Sequence, residues 1–179
     1  MASAFGHAIL ASAIGFHWNS VKKRKLISLG ILSSILPDAD IIAFKFGIPY
    51  SHMFGHRGFT HSIFFAIVWS LLLQQLFYKK EIKKSMVLLY LFICTVSHGI
   101  LDAMTTGGRG IAFFAPFSDE RMFLPWRVIQ VSPLNASDFF GEWGQLVIKS
   151  ELCWIGIPSL LILIIPIIWK YVKCYSLKS

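Results

Sequence analysis

The sequence predicts an all-α fold, a polytopic membrane helical bundle of about five transmembrane helices with a small external β-hairpin or loop segment. Three observations lead there. The 179 residues are 55% hydrophobic with a mean hydropathy of +0.64, more apolar than a soluble domain of that length. Residues 59–78, 85–104 and 152–172 each approach the roughly 20 apolar residues that cross a bilayer, and 2–20 and 26–48 do so with polar interruptions. Eleven of the seventeen basic residues fall in three clusters, each bordering an apolar segment. No repeat, low-complexity stretch or long linker divides the chain, so 1–179 is read as one integral membrane domain.

The clusters set the path. They are Lys22 to Lys25, then Lys79, Lys80, Lys83 and Lys84, then Lys170, Lys173 and Lys178. Basic clusters at membrane edges stay in the cytoplasm. This placement explains the net charge of +8 and excludes nucleic acid as the partner; the partner is the lipid bilayer. The first segment, 2–20, has its positive charges after the apolar run, which reads as a retained helix with its N-terminus outside. The second helix, about 26–36, returns outward to LPDAD, where Pro37 and two aspartates end it. A loop, 37–58, lies outside. The third helix, about 60–78, runs in to the KKEIKK turn, and the fourth, about 85–105, comes out. Residues 106–150 form the external segment. Its Gly and Pro punctuation and its alternating WRVIQV suggest one or two short hairpins, with SDER as a plain turn. Phe113, Phe114, Phe117, Phe123 and Trp126 sit at headgroup level or pack on the helices. The fifth helix, about 152–170, goes in and leaves the C-terminus cytoplasmic. Cys94, Cys153 and Cys174 lie in or beside apolar segments without CxxC spacing, so no disulfide framework or cysteine metal site is expected.

On this path His7, Asp38, Asp40, His56, His61, His98 and Asp102, from four helices or their ends, gather near one membrane face. Ionisable residues near membrane depth are costly and mark function. His98 and Asp102, four apart in SHGILD, share a helix face and make either a two-ligand metal clip or a bundle-packing hydrogen bond. Asp38 and Asp40 offer hard oxygen ligands or a general base, or else only a solvated helix stop. In HRGFTHS, His56 lies in the loop, Gly58 lets the chain turn, Thr60 caps the third helix and His61 enters its first turn. Arg57 between them suits a phosphate, or anchors the interface. His17 and His52 are left out. Nitrogen and carboxylate ligands without cysteine suit a divalent metal, zinc first, with manganese or iron as alternatives. More than four potential ligands admit two or three ions, which activate water and clamp a phosphoryl oxygen.

FGHAIL, LPDAD, HRGFTHS, HGILDAMTTGG and a PFS stretch, taken together from His7 to about Trp126, resemble the YdjM family of membrane-bound, metal-dependent hydrolases. That family is in turn distantly similar to zinc-dependent phospholipase C. The resemblance implies metal ligands at His7, Asp38 or Asp40, His56, His61, His98 and Asp102, and a bacterial inner membrane as the setting. The phospholipase pattern also carries a later HxxxE pair. This chain has no histidine after His98, which favours one or two metals over three.

The expected function is hydrolysis of a phosphate ester in a phospholipid or lipid-linked substrate, at an outward-facing, periplasmic site. Asp38, Asp40 and Arg57 are its candidate catalytic residues. Arg109 or Arg127 could assist Arg57, and Thr105 and Thr106 either support the site or end the fourth helix. The alternatives are a divalent-metal transport or sensing site, bis-histidine haem, and a polar cluster that only holds the bundle.

Overall fold

The computed structural model describes residues 1–18, 20 and 22–176; Lys178 and the side chain of Cys174 lie outside the described set. The helices are α1 (Ala4–Phe16), α2 (Lys23–Ile35), α3 (Ile63–Tyr78), α4 (Lys84–Ala103), α5 (Ala136–Phe139), α6 (Glu142–Glu151) and α7 (Ile157–Ser176). A 3-10 helix, Leu36–Phe46, continues α2, and a π turn, Leu152–Gly156, joins α6 to α7. By length and composition three stretches can cross a membrane: Lys23–Phe46, Lys84–Ala103 and Glu142–Lys170; α1 and α3 are shorter apolar helices.

The ends of these helices are sorted by charge. Trp18 Nε1 donates to the Met86 carbonyl at 2.9 Å, and Lys25 Nζ lies 4.2 Å from the Phe77 ring centre. The first two basic clusters therefore meet at one end. Gly6 packs on Ile155 and His17 Nε2 lies 3.0 Å from the Leu163 carbonyl, so α7 runs beside α1 in the same direction. Lys170 and Lys173 consequently end on the same basic side. Asp38, His61, His98 and His7 occupy the opposite ends of α2, α3, α4 and α1.

The basic half of the bundle is packed by Ala11, Leu26, Leu73, Val87, Tyr90, Leu91 and Cys94. Tyr90 is its keystone. The hydroxyl donates to the Ala11 carbonyl at 3.0 Å, and the ring fills the space left by two glycines. A Cβ at Gly30 would lie 2.2 Å from the Tyr90 hydroxyl oxygen. Small residues of this kind let membrane helices approach closely.

Four expectations need correction. The second helix does not stop at Pro37. Proline occupies the start of the 3-10 helix, where its missing N–H costs nothing, so the coil runs on to Phe46 and the loop begins at Gly47. Ser62, not Thr60, caps α3: its hydroxyl accepts from Phe65 N at 3.0 Å, while His61 precedes the helix in a 3-10 turn, Phe59–His61. The last helix begins ten residues early, at Glu142, whose carboxylate in the first turn is matched to the helix dipole. Among the described residues the segment after α4 forms no strand, only the bridges Thr105 to Ile129 and Ile111 to Met122. Pro116, Pro125 and Pro133 lack the N–H a ladder needs, and Gly108 and Gly110 take positive φ. The segment still lies across the helix ends: Ala112 N donates to the Arg57 carbonyl, Leu124 N to Ala103 and Thr106 N to Ile129. Phe117 and Trp126 are exposed, 82% and 72%, whereas Phe123 lies under Arg127.

The Gly30→Ala variant should lower thermal stability by about 1–3 kcal/mol through overpacking against Tyr90. Unfolding of detergent-solubilised protein measures this, with Ile82→Ala, at a fully exposed position, as the silent control.

Candidate metal centre

Asp38 and Asp40 lie on the 3-10 helix. With three residues per turn, positions two apart point about 120° from each other. The two carboxylates therefore serve different neighbours. Asp38 Oδ1 faces His98 Nε2 at 3.4 Å and His61 Nε2 at 3.6 Å. Asp40 is a hydrogen-bond hub. Its Oδ1 lies 2.6 Å from His56 Nδ1, and its Oδ2 accepts from Arg57 N at 3.1 Å and from the Thr60 hydroxyl at 2.7 Å. His61 Nδ1 is 3.2 Å from the same oxygen.

These bonds decide which imidazole nitrogens are free. His98 Nδ1 sits 2.7 Å from the Ser34 carbonyl, which can only accept, so Nδ1 carries the proton. His61 Nδ1 is likewise turned to the Asp40 carboxylate. The other nitrogen of each ring, Nε2, points inward, and the two are 3.0 Å apart. At that distance either a proton on one Nε2 bridges the two rings, or a metal ion takes its place and both lone pairs bind it. Asp102 closes the group, its Oδ2 lying 3.7 Å from His61 Nε2 and 3.9 Å from His98 Nε2. One ligand atom from each of Asp38, His61, His98 and Asp102 lies within 4.8 Å of the others, and all four residues are buried.

Among the described residues neither oxygen of Asp38 nor Asp102 Oδ2 has a hydrogen-bond partner. A buried, unsatisfied carboxylate is expensive. The donor set of two imidazoles and two carboxylates suits a divalent ion, and the orphaned oxygens are where it would bind. Burial pulls the His61 imidazole down, but the Asp38 and Asp40 carboxylates outweigh it and hold its pKa up at about 9. The centre thus attracts positive charge even through a proton.

A second group, Asp40, His56 and His61, shares His61 with the first. Asp40 has no orphaned oxygen, so it fits better as the carboxylate that orients His56 and His61. His7 stacks on His98, ring centres 4.0 Å apart, with Nε2 3.5 Å from Asp102 Oδ1 and neither ring nitrogen hydrogen-bonded. It touches the centre but is not one of the four. His17 is at the basic end, and His52 Nδ1 accepts from Phe54 N.

Arg57 is placed differently from the sequence expectation. It is fully buried, and its own φ of 64° makes the turn assigned to Gly58. Nη1 donates to the Gly107 carbonyl and Nη2 to the Thr105 hydroxyl, both at 2.9 Å, while Nε lies 3.4 Å from Asp102 Oδ2. Thr105 in turn donates to the Asp102 carbonyl. Arg57 is therefore a strut between Asp102 and the covering segment. Arg127 is similarly committed, to the Thr105 and Thr106 carbonyls.

Sequence reasoning missed four supports. Thr60 holds Asp40, and Ser34 fixes the His98 tautomer. Arg121, in the supposed plain turn, donates to the carbonyls of His56, Tyr50 and His52. Glu151 accepts from the Ser3 hydroxyl and backbone N–H, tying the last helix to α1. Glu151 ends a polar stretch, after Lys149 and Ser150, so its residue type gave no signal; its burial in the structure reveals its role.

The YdjM inner membrane protein family model matches residues 1–175. The chain belongs to this family. It is 40% identical over 166 residues to inner membrane protein YbcI of Escherichia coli (strain K12), covering 91% of this chain and 95% of that one. No solved structure matches. This YdjM-family chain is an integral inner membrane protein with a buried His and Asp cluster able to hold a metal ion.

The Arg57→Met variant should be destabilised by about 3–5 kcal/mol, because the buried Asp102 loses its cation partner and two acceptors lose their donors. Thermal unfolding in detergent reads this directly; an unchanged midpoint would free Arg57 from the strut role.

Proposed function

We propose that the protein is a metal-dependent hydrolase of phosphate esters, acting on a phospholipid or lipid-linked phosphate at headgroup depth. The observation that carries this is the pair of inward-facing Nε2 atoms, 3.0 Å apart, between two buried carboxylates with orphaned oxygens. Asp38, His61, His98 and Asp102 hold one divalent ion, zinc being the best match to two nitrogens and two oxygens, ahead of manganese and iron. When bound, such an ion supplies Lewis acidity toward a phosphoryl oxygen and acidifies water. Asp40 keeps His61 and His56 in the required tautomers and orientation. His56 and His7, on either side of the four, are positioned to hold or pass a proton. Arg57 fixes Asp102 and adds positive charge behind the centre.

The site faces the periplasm, and the basic end, with the C-terminus, faces the cytoplasm. The alternative of metal transport is disfavoured because, among the described residues, the core of the basic half around Tyr90 and Leu91 is largely apolar and holds no buried charged side chain. Haem is disfavoured by the carboxylates beside both imidazoles.

Zinc-loaded protein in lipid nanodiscs should release phosphate or phosphoalcohol from a phospholipid panel. The activity should vanish on chelation and in His98→Ala. Folded, zinc-loaded protein inactive on every phosphate ester tried would remove the hydrolase reading. Asp40→Asn should retain the metal ligands yet weaken zinc binding roughly 10–100-fold, measured by competition with a chromogenic chelator. A C-terminal fluorescent-protein fusion should fluoresce in cells, as a cytoplasmic tail requires.

A further inference from the structure

With Arg57 and Arg127 committed to the protein, something else must meet a charged headgroup. A cavity of about 250 Å³ adjoins the centre, with Tyr50, His56 and Arg57 at one side and Val131, Leu134 and Trp143 at the other. No carboxylate lines it. Trp143 is held as a wall by its Nε1–H, which donates to the Val131 carbonyl at 2.8 Å. Beyond this wall the surface stays apolar: Leu134, Phe140 and Leu146 are all more than half exposed, at 54%, 86% and 57%. The cavity is thus basic toward the metal centre and greasy toward the outside.

Arg109 stands at its rim. Gly108, its neighbour, and Tyr50 both line the cavity, and the Arg109 guanidinium lies over the Tyr50 ring, 5.6 Å from its centre. Its side chain is exposed and makes no hydrogen bond among the described residues. Gly108 is required here: its φ is 92°, and a Cβ would lie 2.4 Å from Arg57 Nη1. The tight Gly108 turn brings Arg109 and Arg57 together on one side of the cavity. A larger cavity, of about 640 Å³, lies at the basic end beside Lys22 and Lys80, away from every candidate ligand.

We infer that this cavity is a port for an anionic amphiphile, with Arg109 as the positioning residue for its phosphate and the Leu134–Trp143 side as the bed for the first part of its chain. The inference rests on the metal-dependent reading of the site and narrows it, since a water-soluble phosphate ester would leave the apolar side unfilled. The five donors of a guanidinium match a phosphate's oxygens, and stacking on Tyr50 preorganises them.

The test uses full-length, zinc-loaded protein in phosphatidylcholine nanodiscs, with dodecylphosphonate and methylphosphonate as non-hydrolysable probes and empty nanodiscs subtracted. Zinc content is measured on the same samples. Dodecylphosphonate should bind at least about tenfold more tightly than methylphosphonate. Arg109→Ala should weaken both by about tenfold, the scale of a lost charged hydrogen bond, and Arg109→Lys should recover most of it. Leu134→Asn, polar but uncharged, should weaken only the dodecyl probe. Equal binding of the two probes, or Arg109→Ala binding like wild type while zinc is retained, overturns the port and leaves the metal reading standing. Wild type that holds no zinc overturns both.

Discussion

Placing a carboxylate in a low-dielectric interior costs several kcal/mol, and placing two side by side costs more. Ligand oxygens of Asp38 and Asp102 lie within 4.8 Å of each other, where like charges repel by about 3 kcal/mol at an effective dielectric near 20. Two imidazole lone pairs face the same point. A proton shared by His61 and His98 and the Met1 ammonium, 4.0 Å from Asp102 Oδ2, relieve part of this arrangement; a divalent ion bound by all four residues would relieve more of it. A divalent ion would cancel the two carboxylate charges, and Arg57 against Asp102 supplies further compensation. The site is a buried cluster of carboxylates and imidazoles able to hold a metal ion, and the rest of the fold is the frame that keeps these groups together.

That frame has two halves with opposite chemistry. The Tyr90 half is largely apolar and tightly packed, and it presents lysines to one surface. The other half carries every candidate ligand and is roofed by the segment after α4, which is pinned by Arg57, Arg121 and Arg127 to backbone carbonyls. These arginines do structural work that a β-hairpin would otherwise have done: they tie the irregular cover to itself and to the loop before α3 through backbone carbonyls. Glu151 and Ser3 then lock the last helix to the first, beside the Ala2 N–H that donates to Asp102 at 2.6 Å.

Much of this was legible from spacing and hydropathy. Apolar runs and lysine clusters located five helical segments and the sorting of their ends, and the i,i+4 spacing of His98 and Asp102 put both on one face of α4. The division of labour between Asp38 and Asp40 was not legible, because ending the helix at Pro37 left the two aspartates in a loop with no helical face; the coil in fact runs on to Phe46 and points them apart. Arg57 misled for a similar reason. An arginine between two histidines suggests a ligand for phosphate, but its left-handed backbone turns the guanidinium inward, onto residues about 50 positions away. Thr60 and Ser62 are equally good caps by type, and only the path of the chain chooses between them. The external segment failed as a hairpin because alternation in WRVIQV is a weak signal against three prolines.

The central claim is that Asp38, His61, His98 and Asp102 together hold one divalent ion. X-ray absorption at the zinc edge of detergent-purified, zinc-loaded protein tests it most directly, with metal stoichiometry measured alongside. The account predicts one tightly held zinc per chain in a shell of nitrogen and oxygen donors, with the scattering pattern of two imidazoles reduced to one in His98→Ala. Folded wild type that retains no zinc, or zinc whose shell lacks imidazole, would contradict it.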